Sequence, residues 1–355
     1  MAKPTLMVLS LGELGTHLLE AAARSQLFDT IIVASRDKAK AQARANNAVI
    51  GAGIEGFFPK IIAEELDFNA PGFGAKLDQI APDYLFTAPS MLPWWKLDEA
   101  AASLPFAGYT ALHLALMVAL RDQMTEANFN GVWIGASYPD VINAVLNRTG
   151  YGPTCGIGNV QEPIAKIQSY VARIKGCSPN EVRVQLVAQH AFEYYVLNAP
   201  TPKELPPHLI KATVHGEDVS PIASQALWDP FPFPYDLHFN RVTASAGIRA
   251  LQALTSELPQ SIHLPGIGAL LGGYPVQAST SGIVLDLPLE WSLDQAIAVN
   301  EQSLAWDGIK SVTEDGTIIY TPETCESLQN LLGSTPESLT TKNAAAQAQA
   351  LLAVL

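Results

Sequence analysis

The sequence predicts an α/β fold: a doubly wound parallel sheet followed by an α+β domain with antiparallel strands. In the first 150 residues, short and continuously apolar runs alternate with helical stretches. Such strands are typical of a parallel sheet that helices cover on both faces. Hairpin patterns occur in the second half, and a length of 355 residues suits two domains of roughly 150 residues each. We therefore expect domains at 1–150 and 151–335, followed by an alanine-rich helical tail at 336–355.

The elements of the first domain follow from alternation between strand-length apolar runs and helical spacing. The run at 30–34 (TIIVA) is β-branched and apolar, whereas 37–46 (DKAKAQARAN) is rich in helix formers. Strands are predicted at 5–10, 30–34, 84–87 and 131–135, and helices at 15–23, 37–46, 110–123 and 139–147.

The second domain mixes longer strands with helices. We predict one long strand at 182–197, or two strands joined at a kink, and a hairpin over 274–287 that turns at 279–282. The segment 228–235 (WDPFPFPY) holds three prolines and four aromatic residues, so it is expected to be an ordered loop that packs on an apolar surface. The other predicted elements are a strand at 209–215 and helices at 162–175, 241–258, 293–306 and 340–355.

Composition excludes several classes of protein. Apolar residues make up 48% and charged residues 15%, which argues against disorder. The net charge of -13 disfavours nucleic acid and anionic membrane surfaces as partners. No run of about 18 apolar residues predicts a membrane span, and the N-terminus does not resemble a signal peptide.

Cysteine usage and hydropathy indicate compartment and assembly. Cys155, Cys177 and Cys325 form no CxxC pair, which fits a reducing cytoplasm and disfavours a structural zinc site. The mean hydropathy of +0.15 is high for a soluble chain. We expect a cytoplasmic homo-oligomer, a dimer or a tetramer, that acts on a small molecule.

The first strand leads into a glycine-containing turn that predicts a Rossmann-type dinucleotide site. Gly12 lets the backbone approach a pyrophosphate, and Gly15 lets helix and strand pack closely. The helix N-terminus offers backbone N–H groups to the phosphate, although Ser10 replaces the usual first glycine. The alternative is a plain strand-to-helix turn without a ligand. The turn reads Ser10-Leu11-Gly12-Glu13-Leu14-Gly15.

The end of the second strand favours NADP over NAD. Ser35 lies 20 residues after Gly15, where an NAD site carries an acidic residue, and Arg36 follows it. A guanidinium suits a 2′-phosphate because it pairs with phosphate in a bidentate way. The alternative is a solvated basic start of a helix, which also carries Lys38 and Lys40. Further cofactor contacts are expected from the segment after the strand at 84–87, at Thr87, Ala88 and Pro89.

Several segments resemble the lactate/malate dehydrogenase superfamily, which includes the redox-dependent family 4 glycosidases. The chain is similar to a divergent, NADP-binding member of it. The resemblance covers most of residues 5–310. It is carried by 131–145 (GVWIGASYPDVINAV), 155–160 (CGIGNV), 187–190 (VAQH), 273–276 (GYPV) and 281–284 (SGIV).

The resemblance implies that His190 exchanges a proton with the substrate and that a carboxylate orients it. Glu162 lies 28 residues earlier and is the predicted orienting group. A nearby carboxylate raises the histidine pKa toward the value that proton transfer needs. The alternative for His190 is a hydrogen-bonded core histidine. Tyr194, Tyr195 and Glu193 are further acid candidates, and on a strand the two tyrosines would face opposite sides.

The chain departs from the family where the family holds its substrate. The carboxylate-clamping arginine is Ala165, and the asparagine before the proline of the fifth-strand loop is Tyr138. The loop at 87–96 has no arginine, so a simple 2-hydroxy acid is disfavoured and a bulky or apolar substrate is expected. The family 4 metal-binding cysteine is replaced by Gly158, so no metal is expected. The predicted substrate-binding residues are Trp94, Trp95, Tyr138, Asn159 and Tyr194.

The leading prediction is an NADP-dependent oxidoreductase that reduces a carbonyl or imine by hydride transfer, with His190 as proton donor. One alternative is a redox-assisted glycosidase or lyase similar to family 4, which would need a divalent metal. Another is a non-catalytic sensor that binds NADP.

Overall fold

The computed structural model describes residues 3–92, 96, 104–197, 203–234, 236 and 238–355. Its centre is a parallel five-stranded sheet of order β3-β2-β1-β4-β5. The strands are β1 (Thr5–Val8), β2 (Thr30–Ser35), β3 (Ile61–Glu65), β4 (Tyr84–Thr87) and β5 (Val132–Gly135). The predicted doubly wound sheet is confirmed. The strand order reverses between β1 and β4, and ligands of such sheets bind in the crevice beyond the carboxyl ends at this point.

Both faces of the sheet are buried because alternate side chains point to opposite sides. Met7 and Trp133 belong to one apolar core, and Leu6 and Ile134 belong to the other. Helices cover both faces, which explains why the strands are apolar throughout. The helices of this half are α1 (Glu13–Ser25), α2 (Lys38–Ile54), α3 (Phe73–Ile80), α4 (Thr110–Glu126) and α5 (Pro139–Arg148).

The second half forms three small antiparallel sheets, which agrees with the predicted α+β domain with antiparallel strands. They are β6 (Val182–Val187), β7 (Leu209–Val214) and β8 (Glu217–Asp218); β9 (Gln260–Pro265), β10 (Gly273–Ser279) and β11 (Gly282–Leu285); and β12 (Ile309–Val312), β13 (Ile318–Tyr320) and β14 (Ser338–Leu339). The hairpin predicted at 274–287 is β10–β11, with Ser279 paired to Gly282.

The remaining helices connect and cover these sheets. Helix α9 packs against α1, which joins the second half to the first. The helices are α6 (Ile164–Lys175), α7 (His190–Leu197), α8 (Ser220–Ala226), α9 (Phe239–Leu254), α10 (Leu293–Ser303), α11 (Pro322–Leu332) and α12 (Ala344–Leu352).

The long strand predicted at 182–197 is wrong. The strand β6 ends at Val187, and α7 begins at His190. The apolar sequence fits either structure, but β6 pairs with β7 only along 182–187, and Ala188 forms a single bridge to Gly273. Phe192 and Val196 are then buried at helical i, i+4 spacing. Tyr194 and Tyr195 are consequently neighbours on a helix and do not face opposite sides of a strand.

The predicted C-terminal tail belongs to the folded core. β14 pairs antiparallel with β13, and α12 packs against α4 of the first half. Leu351 is fully buried there. No helix in the described ranges has the length and apolarity needed to cross a bilayer.

Candidate functional site

The predicted dinucleotide turn lies at the carboxyl end of β1. A Cβ atom built on Gly15 would lie 1.6 Å from the Ser10 main-chain oxygen, so this position requires glycine. A Cβ built on Gly12 would meet nothing within 4 Å. The close helix–strand packing therefore depends on Gly15, whereas Gly12 faces open space that a pyrophosphate would fit. Glu13 is exposed and Leu14 is half-buried in the first turn of α1.

The end of β2 carries the residues predicted to select NADP. Ser35 accepts a hydrogen bond from the Asp37 backbone N–H at 3.2 Å, and Asp37 caps α2. Arg36 is exposed, and its side chain pairs with no other described side chain. Glu65 is the register partner of Ser35 on β3, so one acidic residue also borders this edge.

The segment after β4 is fixed by side chains from β5 and the turn that follows it. The Trp133 indole donates to the Thr87 hydroxyl at 2.8 Å, and Thr87 is fully buried. The Ser137 hydroxyl donates to the Pro89 carbonyl at 2.7 Å. The Thr87 main-chain oxygen also accepts from the Ala136 backbone N–H at 2.8 Å, so both oxygens of Thr87 already accept a hydrogen bond. Ala88 lies between these two fixed positions.

His190 stands at the first residue of α7, and its orienting carboxylate is Asp307. Nδ1 of His190 lies 3.1 Å from both carboxylate oxygens of Asp307, which ends the short turn Leu304–Asp307 before β12. The sequence predicts Glu162 as the orienting group, but the hydrogen bond to His190 comes from Asp307, and both carboxyl oxygens of Glu162 lack a hydrogen-bond partner among the described residues. The helical start of α7 directs Nδ1 toward the 304–307 turn, where Asp307 already occupies the hydrogen-bonding position.

Tyr138 supports this pair and is buried. Its hydroxyl donates to Oδ2 of Asp307 at 2.9 Å, and its ring meets that of His190 edge-on at 4.9 Å. The Phe106 ring lies 4.4 Å from the His190 ring on another side. Tyr138 adopts a left-handed conformation with φ +48° at the cap of α5. Tyr138, predicted to bind substrate, therefore contacts Asp307 through its hydroxyl and His190 through its ring.

The pKa of His190 is raised by its surroundings. Burial alone would lower it, but the carboxylates of Asp307, Asp140 and Glu162 outweigh that effect. The imidazole of His190 therefore stays protonated to a higher pH than that of a free histidine. His113 of α4 is the opposite case, because burial lowers its pKa to about 4. It remains neutral beside His190.

Three further buried carboxyl groups belong to this cluster: Asp140 and Glu162 interact with the His190 charge, and Glu193 interacts with the other acids. Burial raises the pKa of Asp140 to about 6 and that of Glu162 to about 7, each against a smaller lowering by the His190 charge. The pKa of Glu193 is raised well above its usual value by burial and by the charges of Glu162, Asp140 and Asp307. Burial and, after it, their mutual repulsion both favour the protonated forms of these groups.

The strand-to-helix segment before α6 places Asn159 and Glu162 in the same cluster. Asn159 donates from Nδ2 to Oδ2 of Asp140. A Cβ built on Gly158 would lie 3.0 Å from Oε1 of Glu162 and 3.1 Å from the Thr243 methyl group of α9. Asn159 is therefore held by Asp140, and Glu162 is packed between Gly158 and Thr243.

The structure describes only some of the aromatic residues predicted to bind substrate. Trp94 and Trp95 lie outside the described residues. Tyr194 is 40% exposed on α7. Tyr195 packs edge-on against Trp306 at 5.0 Å, and the charge of the nearby Asp307 helps to raise its pKa after the larger effect of burial.

The predicted proline-aromatic loop packs on α6. The rings of Phe231 and Phe233 stack at 6.1 Å, and Nζ of Lys166 lies 5.8 Å from the centre of the Phe231 ring. Tyr235 of this segment lies outside the described residues. The loop therefore covers the second half and makes no described contact with His190.

Sequence reasoning missed four residues of the His190 surroundings. None of them has a spacing signal, because Asp307 is 117 residues from His190 and the others lie on separate elements. Only Asp140, within the family-like segment at 131–145, could have been singled out. The missed residues are Asp307, Asp140, His113 and Phe106.

The comparisons with known proteins agree with this architecture. No protein-family model matches the chain, and no curated protein matches its sequence. Among solved structures, minor L-lactate dehydrogenase from Enterococcus mundtii has a TM-score of 0.58 and 11% identity, covering 85% of this chain and 96% of that one. Malate dehydrogenase from Salinibacter ruber has a TM-score of 0.57 and 14% identity, covering 92% and 98%.

A third structure was determined with a nicotinamide cofactor. Malate dehydrogenase from Plasmodium falciparum in complex with NADH has a TM-score of 0.56 and 12% identity, covering 86% of this chain and 96% of that one. At such low identity the likeness concerns the fold. The chain has the fold of the lactate and malate dehydrogenases, in strongly divergent form.

Proposed function

We propose that the protein is a nicotinamide-dependent oxidoreductase that reduces a carbonyl or imine of a small molecule. The observation that carries this proposal is the His190–Asp307 pair beside the carboxyl edge of the sheet that bears the Gly12–Gly15 turn. Tyr138, which follows β5, contacts the His190 ring. The turn, the pair and the segments after β4 and β5 thus converge on the edge where such folds bind ligands.

The residues at the turn fit a dinucleotide. A pyrophosphate suits the open space at Gly12 and the backbone N–H groups at the start of α1. The exposed Arg36 suits the 2′-phosphate on the ribose of NADP. Bound NADPH would supply a hydride to the substrate carbon.

In this proposal His190 supplies the proton. Asp307 accepts from Nδ1–H and so fixes the tautomer and the orientation of the ring, leaving Nε2 to donate to the substrate oxygen or nitrogen. The raised pKa keeps the imidazole protonated for reduction near neutral pH. Tyr138 holds Asp307 in place through its 2.9 Å hydrogen bond.

NADP is the proposed cofactor, and NAD is the second candidate because of a specific neighbour. Arg36 would pair with a 2′-phosphate, whereas Glu65, beside Ser35 across the sheet, would favour an unmodified ribose. The two can be separated by their dissociation constants for NADPH and NADH.

A fluorescence titration tests the cofactor proposal. We expect NADPH to bind more tightly than NADH, and Arg36→Ala to weaken NADPH binding about tenfold or more while leaving NADH binding unchanged. Lys60→Ala is the matched control. Lys60 is also exposed, but it precedes β3 and so lies at the amino-terminal end of the strands, away from Arg36. Failure of both cofactors to bind would end the proposal.

The metal-dependent glycosidase or lyase alternative gains no support from the site. Gly158, which stands where the family 4 cysteine would be, has φ +88°, a conformation that cysteine rarely adopts. In the part of the chain that the structure describes, no three histidine, cysteine, aspartate or glutamate side chains converge on a metal position.

A further inference from the structure

We propose that the cluster of buried acids around His190 binds a positively charged substrate, an iminium in the reductive direction or an ammonium in the oxidative one. This inference rests on the proposed oxidoreductase function and names its substrate class. The carboxyl groups of Asp140, Glu162 and Glu193 would hold the charge.

Unpartnered buried oxygens carry the proposal. Oε1 of Glu193 and Oδ1 of Asp140 are buried and have no hydrogen-bond partner among the described residues. Glu193 is 3% exposed and Asp140 is fully buried. A buried carboxyl oxygen without a donor is costly, since it has lost water and gained nothing in return. A ligand N–H⁺ group would satisfy these oxygens and their charge together.

Apart from His190, the described residues bring no cation to this cluster. In the described ranges, no lysine or arginine forms an ion pair with Asp140, Glu162, Glu193 or Asp307, and only His190 pairs with Asp307. The basic residue nearest in sequence, Lys166, instead directs Nζ to the Val196 carbonyl at 2.8 Å.

The segments outside the described ranges cannot supply one either. The sequence has no lysine or arginine at 1–2, 93–95, 97–103, 198–202, 235 or 237. A substrate carboxylate would therefore enter among buried acids with no counter-charge from a lysine or arginine. Opposite charge, by contrast, would stabilise the ionised form of each acid.

Aromatic rings suit the rest of such a ligand. Phe106 and Tyr138 flank His190, and Trp306 packs with Tyr195 beside Asp307. Aromatic faces together with carboxylates recognise alkylammonium groups through cation–π attraction and hydrogen bonding.

The chemistry balances with the proposed cofactor. An iminium carbon accepts the hydride of NADPH, the C=N π electrons move to nitrogen, and the resulting amine takes a proton from Nε2 of His190 to become an ammonium. NADPH is oxidised to NADP⁺, and the substrate is reduced. Both substrate and product carry one positive charge, so the same carboxylates serve both.

Three probes of matched size test the charge preference by calorimetry: phenethylammonium, 2-phenylethanol and 3-phenylpropionate. We expect the ammonium to bind about tenfold more tightly than the alcohol, because charged hydrogen bonds exceed neutral ones by about 1.4 kcal/mol. Binding of the alcohol or the carboxylate as tight as that of the ammonium would overturn the inference.

Matched variants test which carboxyl groups cause the preference for the ammonium. Glu193→Gln should remove most of the preference for the ammonium, and Glu162→Gln serves as a second variant if circular dichroism shows that the first does not fold. Glu314→Gln, at an exposed carboxylate far along the chain, should leave the preference intact. An unchanged preference in folded Glu193→Gln and Glu162→Gln would contradict the assignment.

A parallel titration with NADPH and NADH distinguishes failure of the cationic-substrate proposal from failure of the oxidoreductase proposal. NADPH binding without a charge preference refutes the cationic substrate alone. Absence of binding by both NADPH and NADH refutes the proposed oxidoreductase, whatever the probes show.

Discussion

Replacing Glu162 by glutamine should stabilise the protein at alkaline pH. Glu162 is 8% exposed, and burial raises its pKa from 4.5 to about 7. A carboxyl group whose pKa rises on folding stabilises the protein in its protonated form. That contribution is complete below pH 4.5 and is lost as the pH rises through about 7. Glutamine cannot ionise, so the variant avoids the loss.

The size of the effect follows from the shift. A difference of about 2.5 pKa units corresponds to about 3 kcal/mol, at about 1.36 kcal/mol for each unit. At pH 5 the unfolded chain is already partly ionised, so the free energy of unfolding of Glu162→Gln relative to wild type should increase by about 2 to 3 kcal/mol between pH 5 and pH 8.

Urea unfolding at the two pH values, followed by circular dichroism, measures this difference. Glu314→Gln is the control and should show none, since that carboxylate is exposed. The reasoning is refuted if Glu162→Gln loses stability at pH 8. Such a loss would mean that Glu162 is ionised and paired, as the sequence spacing to His190 had suggested.

Further outcomes follow from the same geometry. Asp307→Asn should lower the His190 pKa, measured by NMR, because the carboxylate that raises it is gone; an unshifted histidine would contradict the pairing. Gly15→Ala should destabilise the fold by about 1 to 3 kcal/mol in urea unfolding, owing to the clash with a main-chain oxygen. Gly12→Ala should leave stability unchanged and weaken only NADPH binding, so equal stability losses in both variants would refute the distinction. Tyr138→Phe should cost about 1 kcal/mol of unfolding free energy through loss of its hydrogen bond to Asp307, and an unchanged unfolding free energy would contradict that bond.

The sequence predicts the parallel sheet well because its central strands are buried on both faces. The run at 30–34 has a single structural solution, a strand that helices cover on both sides. The edge strand β3 (IIAEE) was missed because it is half-exposed and carries two acidic residues, which makes its pattern weak. The segment 182–197 misled because an apolar and aromatic run fits a strand or a helix until its partners are known.

The sequence predicts only part of the candidate site, because contacts between distant elements depend on packing. His190 was found through its family-like surroundings, but its partner depends on long-range packing. Asp307 lies in a short turn after α10, 117 positions from His190, and nothing in the sequence between them marks the pairing. Glu162 has the right residue type at a plausible spacing, yet the fold directs it toward Gly158 and Thr243. Spacing identifies contacts within one element, whereas contacts between elements need the topology.

A crystal structure of the protein with NADPH bound tests the central claim most directly. The account predicts the pyrophosphate at Gly12 and the start of α1, with the nicotinamide C4 facing the His190 side chain across a gap that fits one substrate group, so that reacting atoms can approach to about 3 to 3.5 Å. A nicotinamide turned away from His190, or a cofactor bound elsewhere on the chain, would contradict it.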